Sequence, residues 1–350
     1  MKDLSNPWEI REEWLPENAS RADLLEFLLH YSILAPSSYN TQPWHFRFSR
    51  NGVDLLADRS RGLESIDPED REVIIGCGSA LGNLDVAAAH FGFGLQVTLF
   101  PDRSEPDLLA HVELGRPVDP DIDVTLMFGA ITKRRNNLLE FFENPIPEEL
   151  LELLAETVQR EGVWLRFVSG DATRAAIVGL IEQADRVQWA DPGFRRELAR
   201  WVHPNRKRAV DGVSGAALGM GEFVSRAAPL IVRRVDLGRR RAAHDRDVAW
   251  HAPVLAVLGS DGDSESDWIA AGRAVSKVLL RARAEDVWAS FLNQPLEIPE
   301  LRSQIADRME QPGFPQVIMR LGFGFDVSPS PRRSMKDVLL PPKNSARQVH

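Results

Sequence analysis

The chain has 350 residues, 43% hydrophobic and 27% charged, with a formal net charge of −9 at pH 7. That length allows one large domain or two ordinary ones with a sizeable core, and the acidic balance argues against a general nucleic-acid binder. A single cysteine excludes an intrachain disulfide and favours a cytosolic location. The N-terminal run Met1-Lys2-Asp3-Leu4-Ser5 lacks the layout of a signal peptide, and no uncharged apolar run reaches membrane-spanning length. A soluble protein that contacts neither nucleic acid nor membrane is expected.

The first clear element is an apolar helix from Leu24 to Leu34, stopped by Pro36. A run of small polar residues follows, and Pro36 and Pro43 fix φ at its two ends. Ser37, Ser38, Asn40 and Gln42 place hydroxyls and amides within this short, stiff span. It reads as a seat for a polar, planar, anionic ligand at a helix-to-strand joint, or as a capped helix end with an Asx turn. The strand Trp44-His45-Phe46-Arg47-Phe48 begins at once. Trp44 reads as core and, beside a ligand, as a platform too. Cys77 reads as a small core residue, not a reactive thiol. Gly78 opens a long apolar helix ending near Phe91-Gly92, and strands follow at Leu95 to Phe100 and Val112 to Gly115.

Much of this pattern recurs. Lys133-Arg134-Arg135-Asn136-Asn137-Leu138 precedes a helix near Pro147, in which Leu150 to Ala155 resembles Leu24 to Leu29. Trp164 to Phe167 echoes Trp44 to Phe48, with a shorter joint, Gln159 to Val163, in place of the polar loop. Gly272-Arg273-Ala274-Val275-Ser276 opens a helix like that at Gly78, and strands follow at Trp288 to Leu292 and Val317 to Gly322. The sequence therefore predicts an α+β protein of two related halves, 1–130 and 131–350. An extra stretch, roughly 184–251, is rich in glycine and aromatic residues, which suits a lid over a pocket or a helical surface excursion. Its glycines form no phosphate loop, since no Gly-Lys-Ser/Thr follows. Basic residues cluster locally in the same stretch, including Arg206-Lys207-Arg208.

The run Ala35 to Trp44 resembles the flavin-contacting loop of the nitroreductase family, which reads A-P-S-S-x-N-x-Q-P-W. Over nearly its whole length the chain is similar to the Acg-like subfamily, with Val53 to Ser60, Asp67-Pro68, Arg71 and Pro331 to Val338 fitting that pattern. The resemblance implies a nitroreductase-like fold. Each half would carry a mixed, mostly antiparallel sheet flanked by helices, and the two would form an internal pseudo-dimer able to self-associate further. It implies FMN as cofactor, NAD(P)H as electron donor and a nitroaromatic or quinone-like small molecule as acceptor. Ser37, Ser38, Asn40, Gln42 and Trp44 would meet the flavin ring and ribityl chain. Arg134, Arg135, Asn136, Arg332 and Arg333 would hold its phosphate, and Asn293 would lie near the backbone donor to N5. Leu138 stands where the family commonly has a second arginine. One complete site is expected, because the second copy lacks the polar loop.

No side chain need act as a general acid, since the flavin carries the electrons. The histidines show no metal-ligand spacing, and no Gly-x-Ser-x-Gly elbow is present. Two other outcomes stay open: a flavin-sequestering protein with little turnover, and a scaffold without flavin.

Overall fold

Ser20 caps the first helix through a reciprocal pair with Asp23, and α1 (Arg21–Ser32) turns its apolar residues into the core. The chain then returns as the hairpin β1 (Trp44–Phe48) and β2 (Val53–Ala57). The central helix α2 (Arg71–His90) follows, then β3 (Phe93–Leu99), β4 (Leu108–Pro117) and α3 (Ile122–Ile131). The structure is a computed structural model that describes residues 6–205 and 209–343. Met1 to Ser5 and the triplet Arg206-Lys207-Arg208 lie outside the described residues.

The second half starts with α4 (Glu148–Gln159) and β5 (Val163–Phe167). A long excursion comes next: α5 (Asp171–Ala190), α6 (Pro192–Trp201), β6 (Val202–His203), β7 (Val213–Ser214), α7 (Glu222–Ser225), α8 (Ala228–Arg234) and α9 (Gly238–Trp250). It occupies the place of the short β1–β2 hairpin turn, and so begins at Asp171, earlier than the expected start near residue 184. The half then continues with β8 (Val254–Ser260), α10 (Glu265–Ala284), β9 (Trp288–Phe291), α11 (Pro299–Met309) and β10 (Phe314–Gly322). Two short elements, α12 (Met335–Val338) and β11 (Leu339–Leu340), close the described chain.

The first sheet has the order β11-β1-β2-β4-β3 and the second β5-β8-β10-β9. Setting β11 aside, the two arrays share one antiparallel order, with α1 and α4 leading in and α2 and α10 spanning the same gap. β11 departs from this plan. It pairs parallel with β1, Leu339 opposite Phe46, so the second half's C-terminal segment completes the first half's sheet.

Both central helices begin seven residues before the expected glycines. Gly78 and Gly272 are therefore interior positions where the two helices cross. A β-carbon at Gly78 would stand 2.5 Å from the Ile269 carbonyl oxygen and 3.1 Å from the Gly272 Cα. One at Gly272 would run into the Ile75 carbonyl oxygen and lie 2.8 Å from the Gly78 Cα. Ile75 and Ile269 each lie three residues before their helix's glycine, so the contact is isologous, as across a two-fold axis. Ser79 donates to the Gly272 carbonyl, and Ser276 donates to Asn83 at 2.6 Å. By length and composition α2 could cross a membrane, which the sequence reading did not credit. Here it is a core helix, buried against α10 in an apolar cluster that both halves share.

Candidate functional site

A cavity of about 770 Å³ opens between the polar loop, the N-terminal half of α2, residues 134–139, the excursion and the segment 327–332. That volume suits a cofactor-sized ligand. The polar loop reaches it in a strained conformation: Tyr39, Asn40 and Gln42 have φ of 47°, 56° and 53°. Three left-handed non-glycine residues within four positions cost on the order of 1–3 kcal/mol each. They persist because neighbours tie them down. The Asn40 amide donates to Gly212 O (3.1 Å) and Pro331 O (3.0 Å) and accepts from the Arg332 guanidinium at 2.6 Å.

Of the expected site residues, Ser37, Ser38, Asn40, Arg134, Arg135, Asn136, Asn293 and Arg332 stand together on the cavity wall. Ser37 Oγ accepts from the Gln42 amide at 2.9 Å, Ser38 donates to the Glu72 carboxylate, and Asn136 bridges Ala289. Asn293 donates to Glu72 at 3.2 Å and accepts from the Ile318 amide at 3.0 Å. Three expected residues lie off the wall. Gln42 is enclosed: it donates to Val210 O at 2.9 Å and accepts from the Arg333 amide at 2.8 Å. Trp44 is fully buried beneath the loop. Arg333 donates to the carbonyls of Gln42 (2.9 Å), Trp44 (3.3 Å) and Asp337, and its guanidinium also faces His45. It ties the C-terminal segment to β1, a use that no local sequence pattern reveals.

Arg134, Arg135 and Arg332 have no carboxylate partner on the wall among the described residues. Arg134 donates to Leu34 O (2.9 Å), Arg135 to Arg134 O (2.7 Å), and Arg332 to Asn40, Pro331 O, Leu34 O and Ala35 O. Nε of both Arg134 and Arg332 is buried without a partner among the described residues. Burial, with Arg135 alongside, pulls Arg134 down to about 9, and burial beside Arg134 and Arg135 pulls Arg332 well below the usual arginine range. An anion placed among them would relieve both effects. Trp8, which the sequence reading missed, is the platform for this group. Arg135 lies 3.8 Å and Arg332 4.7 Å from its ring centroid, and its Nε1 donates to Ser330 O at 2.7 Å. A lone tryptophan in an N-terminal turn carries no local signal of that use.

The excursion supplies another wall through His203, Asn205, Asp211, Gly212 and Leu218. Its own apolar cluster, with Trp189, Phe194, Leu198 and Val232, packs on Leu63 and Ile66 of the first half. Arg61 pairs with Asp211 and stacks over Trp201 at 5.0 Å.

A second polar network adjoins the cavity. Glu72, Glu297 and Arg241 reach the wall, and Asp67, Asp185 and Asp245 back them. Burial, reinforced by Glu72, pushes Asp67 up to about 7; burial, reinforced by Asp245, pushes Asp185 up to about 8. Both folded values exceed the unfolded one, so this contribution to stability is complete at acid pH. It falls as pH rises from the unfolded carboxyl range, about 4, and is gone once pH has passed 7 and 8. Asp185→Asn should therefore flatten that decline and gain on the order of 1–2 kcal/mol near pH 9 with little change near pH 5. Denaturant melts at the two pH values check this; equal effects at both would place the proton elsewhere.

No protein-family model matches the chain. A Mycobacterium tuberculosis (strain H37Rv) protein provisionally named as an NAD(P)H nitroreductase is 31% identical over 334 residues, covering 93% of this chain and 94% of that protein. The acg protein of the same organism, likewise provisionally named as an NAD(P)H nitroreductase, is 24% identical over 336 residues, covering 93% and 97%. The solved structure of an FMN- and NADPH-dependent nitroreductase from Sphigopyxis sp. strain HMH overlaps 61% of this chain and 96% of its own. Its identity is 18% and its TM-score 0.41.

Proposed function

Because this chain belongs to the nitroreductase family, we propose that it is an FMN-binding oxidoreductase that uses NAD(P)H to reduce nitroaromatic or quinone-like acceptors. One observation carries the proposal. Three partly or fully buried guanidiniums face a cofactor-sized cavity without a carboxylate partner among the described residues, two of them with an Nε unpartnered there. That donor set fits a phosphate. Arg134, Arg135 and Arg332 would hold it, and Ser37, Ser38, Asn136 and Asn293 offer hydroxyls and amides to the rest of the molecule. When bound, the flavin supplies the two-electron chemistry. The protein's own part is to position it, to exclude water with the excursion as a lid, and to keep positive charge where the anion lies.

The shared strand order and the isologous glycine contact support a fused duplication, an internal pseudo-dimer. One site is proposed to survive. On α10, Arg273 stands where α2 has the cavity residue Ser79, counting from the crossing glycines. Arg273 binds Glu161 at 3.1 Å and Asp85 at 3.3 Å, and Lys277 binds both at 2.6 Å. Glu161 belongs to the joint that replaces the polar loop, so ion pairs fill the mirror position.

A specific observation favours a second reading, flavin sequestration. The excursion is anchored by its apolar cluster and bonded to the polar loop at Asn40 and Gln42. Purified protein should be yellow and should release close to one FMN per chain on denaturation. Turnover of a nitrofuran with NADPH distinguishes reductase from sequestering protein. Protein that stays colourless with excess FMN overturns both.

A further inference from the structure

We propose that Glu297 is the proton donor to the electron acceptor, delivering its carboxyl proton from the cavity wall; this rests on the oxidoreductase reading above. Glu297 lies in the turn after β9, and among the described residues its carboxyl accepts one hydrogen bond, from the Gln188 amide at 2.6 Å. Glu72 faces it from α2. Glu72 has the better donors: the Ser38 hydroxyl, the Asn293 amide at 3.2 Å and the Arg71 guanidinium at 3.7 Å. Asp67 adds a carboxyl from the loop before α2, Asp185 one from α5, and Asp245 one from α9, paired with Arg241 at 2.8 Å. The Tyr39 hydroxyl faces the same group.

Arg71 and Arg241, with Arg320 and His244 beside Asp245, thus serve the five carboxyls of Glu72, Glu297, Asp67, Asp185 and Asp245 in a largely dry place. Such a cluster retains protons at neutral pH, because like charges withdrawn from water cannot all ionise. Burial, with Glu72 alongside, holds Glu297 well above the usual carboxylate range. Of these carboxyls only Glu72 and Glu297 line the cavity. Glu72 is occupied by donors on both oxygens, so the proton a ligand can reach is on Glu297.

The proposed step balances. A quinone takes up two electrons and two hydrogens. One hydrogen arrives with the electron pair as hydride from the reduced flavin, which is oxidised. The other leaves the Glu297 O–H as a proton and bonds to the quinone oxygen. Hydroquinone results, and water entering the cavity reprotonates the Glu297 carboxylate.

The test uses flavin-loaded protein. Infrared difference spectra at neutral pH between wild type and Glu297→Gln should show the loss of one protonated-carboxyl C=O band that shifts in D2O. Glu72→Gln should move the titration of that band to lower pH. In stopped flow with the flavin reduced by light, Glu297→Gln should slow reoxidation by a quinone on the order of 10²–10⁴-fold. Ferricyanide, which takes electrons without a proton, should reoxidise both proteins alike. If no carboxyl band is lost, or quinone and ferricyanide slow together, the proposal is wrong. Should Glu297→Gln not fold, an unmoved band in Glu72→Gln overturns it instead. Flavin that NAD(P)H fails to reduce counts against the oxidoreductase reading and leaves this test running on light-reduced protein. Failure to bind flavin overturns both.

Discussion

Gly272→Val should cost on the order of 3 kcal/mol or more of folding stability. The added β-carbon meets the Ile75 carbonyl oxygen and the Gly78 Cα, both backbone of α2, so no side-chain rotation makes room. The helices have to separate, and their shared core opens with them. Gly129→Ala is the control. That glycine lies inside α3, a β-carbon there meets nothing within 4 Å, and the substitution should be neutral or gain up to about 1 kcal/mol of helix propensity. Urea unfolding of the two variants checks the contrast; equal stabilities would mean that the helices do not cross at these glycines.

Adjacent arginines should give opposite phenotypes. Arg332→Ala should weaken FMN binding on the order of tenfold to a hundredfold, since a charge-assisted hydrogen bond contributes about 1.5–3 kcal/mol. Its effect on the apo-protein is a balance: hydrogen bonds to Leu34 O and Ala35 O disappear, but so does a buried charge beside two others. Arg333→Ala should instead lower apo stability by about 2–4 kcal/mol, because the carbonyls of Gln42, Trp44 and Asp337 lose their donor. Calorimetric titration with FMN and denaturant melts of the apo-proteins separate the two effects. Arg333→Ala with normal stability and weakened FMN affinity would restore it to the binding site.

These contrasts mark where the sequence was legible. Pro36, the Trp44 to Phe48 strand and the capped helix before them are local features, and their positions agree with local pattern. The glycines of α2 and α10 were misread as helix starts, because a glycine's reason for being there was a neighbour almost two hundred residues away. Arg332 and Arg333 look equivalent in sequence. The turn into α12 sends one guanidinium toward Trp8 and the other toward β1. The acidic group around Glu297 assembles from four separate segments, and no spacing in the chain announces it.

The β1–β11 pairing has a consequence for synthesis. As the polypeptide leaves the ribosome, β1 acquires β2 at once, but its other edge stays bare until Leu339 has been made. That edge presents Trp44, Phe46 and Phe48, a short aromatic strand of the type that templates unwanted pairing. The nascent protein therefore spends nearly its whole elongation time with an unsealed sheet. A chain stopped before residue 339 keeps that edge open, and aggregation is its expected fate.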